Sequence, residues 1–213
     1  MLVDRFPLVG LRLRTPRLEL RLPGPEELAA LGEVAAAGVH EPGVLPFRVP
    51  WTEQPPEDVA RSVLQHHWRW LGAWEPARWE LHLTVFRRGE PVGRQSVGAR
   101  EFAITREVHT GSWLGLAHQS QGIGTEMRAA VLELAFAGLG AEEAVSSAFA
   151  GSVASYEVSR KLGYRQDGVE RQVVRGELTV EHRLRLARAD WRSPCEVEIE
   201  GLSACLPLFG LTS

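Results

Sequence analysis

The most constraining stretch of the chain is a change of period in its middle. Glu107 to Leu116 (EVHTGSWLGL) reads as a strand, whereas from Gly122 to Phe136 the apolar residues Ile123, Met127, Val131 and Leu134 recur in helical register. Gln119, Gly122 and Gly124 stand at the junction. Main-chain N–H groups at a helix start, with no Cβ beside them, converge on a diphosphate while the helix dipole favours its charge. A plain tight turn would use the same glycines, and the letters fit both. Two familiar phosphate loops fail: a dinucleotide fingerprint needs a third small residue where Met127 stands, and a P-loop needs a Gly-Lys-Ser/Thr ending that is absent.

The remaining chain predicts one domain around this unit. At 213 residues and 44% hydrophobic, it suffices for one substantial core. A formal charge of -3, with acids and bases interspersed, argues against nucleic acid and anionic membrane surfaces as partners. Its apolar runs fall short of the ~20 residues of a membrane span, so a soluble, cytoplasmic protein is expected. Cys195 and Cys205 lack metal-ligand spacing and read as packing residues; no metal is expected.

Arg17 to Pro23 reads as a strand and Pro25 to about Gly38 as a helix. His40 to Trp51 is too proline-rich for regular structure. From Asp58 to Trp74, Val59, Val63, Leu64, Trp68 and Leu71 share one helical face. Hairpins are expected about Arg88-Gly89-Glu90 and Arg175-Gly176-Glu177. Between them lie a strand from Ala144 to Ala150 and a helix from Ser152 to Leu162 closed by Gly163. After Trp191 a tail offers EVEIE as an edge strand and PLFG as a segment tucked against the body.

The order Gln-x-x-Gly-x-Gly, GTEMRAAVLELAF, SVASYEVSRKLGY and LARADW resembles the GNAT acyltransferase superfamily, and within it the Rim-type branch, whose best-known members acylate N-terminal amines of ribosomal proteins. The resemblance runs from about Arg14 to Trp191, leaving residues 192–213 as the tail. It implies an α+β fold: a mixed, mostly antiparallel sheet of about seven strands, helices on both faces and a splayed central strand pair. It also implies acetyl-CoA or another acyl-CoA as donor and an amine-bearing small molecule or protein N-terminus as acceptor, with homo-oligomerisation expected of the family. The proline-rich loop resembles that of actinobacterial relatives that use succinyl-CoA, which keeps a succinyl-CoA-dependent transferase open. So does a non-catalytic acyl-CoA-binding regulator, since the usual asparagine at Ser152 and tyrosine at Ser159 are absent.

Carried onto this sequence, the resemblance sets the main chain of Trp113 and Leu114 beside the pantetheine arm, with the Leu114 amide facing the developing oxyanion. It sets the amides of Gln119, Gln121, Gly122, Ile123, Gly124 and Thr125 around the pyrophosphate. Ser152 has a shorter reach than the asparagine it replaces. Ser155 and Ser159 share its stripe and are the candidates to protonate the leaving thiolate, unless they bond carbonyls one turn back. Attack must come from a neutral amine; His109 is the first candidate base, because imidazole ordinarily titrates near neutrality, and Glu107 the second. Glu126 is expected to organise the loop from behind. His40, Phe47, Arg48 and Trp51 are candidates for the acceptor wall, with His66 and His67 beside them. Arg48, Arg94 or Arg100 could pair with the carboxylate of a larger acyl group. Neither cysteine lies near this site, so transfer is expected to proceed by direct attack in a ternary complex.

Overall fold

Alternating burial builds the sheet. In the computed structural model, which describes residues 1–41, 43–44, 47–149 and 152–212, the first long hairpin joins β3 (Arg78–Arg87) to β4 (Glu90–Arg100). It turns at Arg88 and Gly89, whose φ of 54° and 86° give the doubly left-handed turn that matches strand twist. Before it stand β1 (Arg12–Arg14) and β2 (Glu19–Arg21). After it come β5 (Glu107–Leu114), β6 (Glu143–Phe149), β7 (Arg165–Val174), β8 (Glu177–Ala187) and β9 (Glu198–Glu200). The order is β7-β8-β6-β5-β4-β3-β2-β1-β9, and β5–β6 is the parallel pair in an otherwise antiparallel sheet.

The helices are α1 (Leu2–Arg5), α2 (Pro25–Ala36), α3 (Pro56–Gly72), α4 (Phe102–Thr105), α5 (Ile123–Glu133) and α6 (Val153–Lys161). A parallel pair needs a crossover, and α5 supplies it between β5 and β6. It is buried almost all round, from Glu126 to Leu132, and packs in the main core with Leu81, Leu83 and Val97. On the opposite face Leu28, Leu31, Val59 and Val63 of α2 and α3 cluster with Trp113. The two helix layers thus meet the two sides of β5.

Several expectations change. Nine strands replace about seven: β1 is a three-residue strand too short for its period to register, and β9, which lies within EVEIE, adds the edge strand that the tail offered. The strand expected over Arg17 to Pro23 pairs only through Glu19–Arg21. On α3 the buried stripe is Val59, Val63 and His67, spaced at i, i+4, i+8, and Trp68 is 58% exposed. The helix phase is set by contact with α2, which an aromatic-rich stretch cannot announce. The helix after Gly122 is α-helical only to Glu133 and continues as a wider π turn over Leu134–Gly138. Ala150, the end of the strand expected from Ala144, lies outside the described residues.

The tail completes the sheet: β9 pairs with β1, Phe209 and Cys205 are fully buried, and Trp74 Nε1 donates to the Leu208 carbonyl at 2.8 Å. No helix among the described residues is long and apolar enough to cross a membrane, and no cluster of three metal-ligating side chains occurs among them.

Candidate active site

Pairing between β5 and β6 covers only Glu107↔Glu143, Val108↔Ala144 and His109↔Val145, after which the strands part. On its other edge β5 stays paired with β4, and Gly115 N–H bonds the Val92 carbonyl. Hydrogen-bonded pairs alternate along an antiparallel ladder, so the main-chain groups of Thr110, Ser112 and Leu114 face the gap, whereas those of Trp113 face Arg94 on β4. Leu114 thus turns its backbone toward the opening, and Trp113 contributes its indole. A cavity of about 530 Å³ occupies the gap, walled by Ser112, Leu114 and Arg128 within, Gly122, Gly124 and Thr125 at one end, and Ser152 at the start of α6 with Ser155 and Lys161 on it opposite.

The glycine turn is built to hold its shape. Gly122 is the N-cap of α5 with φ 77°, a conformation that favours residues without Cβ, and Ser120 before it has φ 59°. Glu126 braces the turn from behind. It is nearly buried, accepts from Thr15 Oγ1 (2.6 Å), the Arg17 main chain (3.1 Å) and Arg17 Nε (2.6 Å), and Arg17 Nη1 in turn holds the Gln121 carbonyl (3.0 Å). Gln119 Nε2 bridges the carbonyls of Val39 and Leu114, tying the strand end to the loop. The Gln121 side chain bonds Ala117 and Arg87 and points away from the cavity wall. Ile123 is buried in the main core, so only its amide can face an anion.

Ser152 is the N-cap of α6 and lines the cavity, but its hydroxyl makes no capping bond. Ser155 lines it one turn on. Ser159 does not: it is fully buried, donates to the Ser155 carbonyl (3.1 Å) and accepts from Arg128 Nη1 (2.9 Å). Both roles of its hydroxyl are therefore taken. Arg128 lines the cavity without having been singled out in the sequence. Its guanidinium also donates to Ser112 Oγ (3.0 Å) and, weakly, to Ser146 Oγ (3.4 Å). Burial lowers its pKa. An arginine in the first turns of MRAAVLELAF, whose helix is buried nearly all round, was the available signal.

On the opposite face His109 reaches across β4 to Glu80 on β3, Nε2 to Oε2 at 3.0 Å. Gly98 makes the crossing feasible, because a Cβ there would lie 2.7 Å from His109 Nε2. The nitrogen facing the carboxylate carries the proton in the neutral ring, leaving Nδ1 with its lone pair. Burial would raise the Glu80 carboxyl, but the hydrogen bond from His109 and the attraction of the nearby His82 prevail and hold it well below the usual carboxylate range. Beneath the pair lie His66, His67 and His82, pushed down by burial to about 3, 4 and 4. His109 lies where the gap begins to open but does not line the cavity itself. Glu107 is engaged by Arg185 at 2.6 Å.

Of the acceptor-wall candidates, His40, Phe47 and Trp51 form an aromatic chain ending on Trp113, with successive ring centroids 6.1, 5.2 and 5.9 Å apart. Arg48 turns outward to β8 and bonds the buried Glu181 through Nε (2.9 Å) and Nη2, with Glu170 nearby. Arg94 is half-buried between Glu80 and the Trp113 ring, its pKa lowered to about 10 by desolvation, and Arg100 is exposed.

A strand pair that opens onto a helix-capping glycine turn, with a cation and hydroxyls inside the opening, defines an acyl-CoA-dependent N-acyltransferase. The chain belongs to the acetyltransferase (GNAT) domain family, whose signature matches residues 17–165. Among solved structures it is similar to RimJ of Mycobacterium smegmatis in complex with CoA-disulfide, with a TM-score of 0.72 at 17% identity over 93% of this chain and 94% of that one. RimL, a ribosomal L7/L12 α-N-protein acetyltransferase in complex with coenzyme A, gives 0.63 at 17% over 81% and 95%. A GCN5-related N-acetyltransferase from Brucella melitensis gives 0.66 at 17% over 84% and 80%. At such identities the likeness is one of fold.

Proposed function

We propose that the protein moves an acetyl group from acetyl-CoA to a primary amine, of a peptide N-terminus or a small molecule, by direct attack in a ternary complex. The observation that carries this is the β5–β6 gap, bordered by the outward main chain of Leu114 and ending on the left-handed Gly122. The residues fit the donor. The amides of Gly122 to Thr125 receive the diphosphate, and Lys161, the one lysine in the chain, lines the same cavity. The free edge of β5 offers donors and acceptors to the amides of the pantetheine arm.

Chemistry follows from the two faces. On the α2–α3 face the His109 Nδ1 lone pair takes a proton from the amine, while Glu80 keeps Nε2–H in place and stabilises the imidazolium that forms. Within the gap the Leu114 N–H supports the oxyanion; loss of one such donor in related chemistry costs about 3 to 4 kcal/mol. Ser155 remains the hydroxyl on α6 able to reach the departing sulfur, since Ser159 is engaged. Arg48 is committed to Glu181, which favours acetyl over a carboxylate-bearing acyl group. The aromatic run from His40 to Trp113 forms one wall for the amine-bearing substrate.

The test is a thiol-detection assay for free CoA, with acetyl-CoA and a panel of peptides and small amines. Amine-dependent CoA release with mass-matched acetylation of the amine supports the reading. Heat stability unmoved by CoA, together with no release on any amine, overturns it.

A further inference from the structure

Arg128 carries a positive charge in a place where nothing neutralises it. Its side chain is 3% exposed, and the groups it bonds, Ser112 on β5, Ser146 on β6 and Ser159 on α6, are all neutral hydroxyls. Nε–H is buried with no partner. Tyr164 is the titratable group whose charge would act on the guanidinium, and burial raises its phenol, keeping it neutral. The other ionisable side chains of the cavity wall are His40, Glu41, Glu157 and Lys161, none of which bonds the guanidinium. An unpaired buried charge is costly, and hydrophobic residues would fill the space as well. The three serines come from three elements that meet across the gap, so the guanidinium spans it from below.

We infer that Arg128 and its serines form a seat for one negative charge at the inner end of the coenzyme arm, and that the charge is the thiolate of CoA released by transfer. This rests on the acyltransferase reading above. When the amine attacks, the C–N bond forms and the C–S bond breaks. The electron pair departs on sulfur, and the amine's proton leaves to the base on the opposite sheet face. The thioester is neutral and the product is an anion, so a fixed cation in a poorly solvated wall favours the transition state over the ground state. The seat does this through its field, without a proton to give. Ser155 can lend the sulfur a hydrogen bond, but the charge itself is met by the seat, since Ser159 stands in place of an acid and is itself engaged.

The experiment titrates the thiol of bound CoA by its ultraviolet thiolate absorbance in the wild type, Arg128→Leu and Arg128→Gln. Leu tests a neutral shape that packs, and Gln keeps a donor for the serines if Leu misfolds. Burial raises the protein's own two thiols, Cys205 to about 11, and their absorbance is subtracted by titrating the CoA-free protein alongside. In the wild type the bound thiol ionises ~1–3 pH units below free CoA, as for an acid beside an opposite charge. In both variants it returns to the free value, and kcat falls about ten-fold per unit lost while KM for acetyl-CoA holds. A bound thiol that titrates like free CoA in the wild type overturns the inference and leaves the acyltransferase reading intact. A loss confined to succinyl-CoA, with acetyl-CoA turnover unchanged, also overturns it, because the cation would then read an acyl carboxylate. If CoA fails to stabilise the wild type at all, both readings fall.

Discussion

His67 and His82 sit beneath the acceptor face with their imidazoles pushed down from 6.5 to about 4, burial being the main cause for each. At 3.6 Å, Glu80 Oε1 is beyond hydrogen-bond reach of His82 Nε2, so attraction offsets only part of the desolvation. Both groups bind a proton more tightly unfolded than folded. Their contribution to stability is complete above pH 6.5 and is lost as the pH falls toward 4. By linkage each site gives up at most ~3 kcal/mol across that window, of which ~2 kcal/mol is gone by pH 5. The two losses are less than additive, because charge on His82 is itself one of the causes that lower His67. Replacing His67 by Leu continues the Val59 and Val63 stripe and removes one titration. Urea unfolding followed by tryptophan fluorescence at pH 7.5, 6 and 5 reads the slope. The wild type should lose stability steadily between pH 7 and 5, and His67→Leu should lose about 2 kcal/mol less by pH 5. A flat wild-type profile, or an unchanged slope in the variant, refutes the argument.

Four further outcomes are expected. Gly122→Val forces a branched residue to φ 77°, costing at least ~1–2 kcal/mol; it should also abolish stabilisation by CoA in a melting assay, and unchanged affinity would remove the turn from the donor site. His109→Gln and Glu80→Gln should lower kcat within the ~10²–10⁴-fold range of general-base loss, leaving CoA affinity in calorimetry unchanged. Ser155→Ala should lower turnover more than CoA affinity; weakened binding alone would make Ser155 an anchor. Phe209→Ala should destabilise the protein by ~3–5 kcal/mol in urea, since a fully buried ring of the tail packs on Trp79 with centroids 4.8 Å apart.

Local rules made much of this protein readable from its letters. The two hairpins follow from turn residues that reach φ > 0 within two positions, and the strand-to-helix switch at Gly122 follows from a change of period around one flexible residue. Such signals are complete within a few neighbours, so no distant partner is needed to read them. The contacts that assemble the candidate site are of another kind. The crossing of His109 to Glu80 joins residues 29 positions apart through space cleared by Gly98, and Arg48 reaches Glu181 across 133 positions. Arg128 looks like any helical arginine until burial strips its water and three serines from separate elements close around it. Charge acquires its meaning from what surrounds it, and for these side chains the surroundings come into being only when β5 and β6 part and the helices settle on either side.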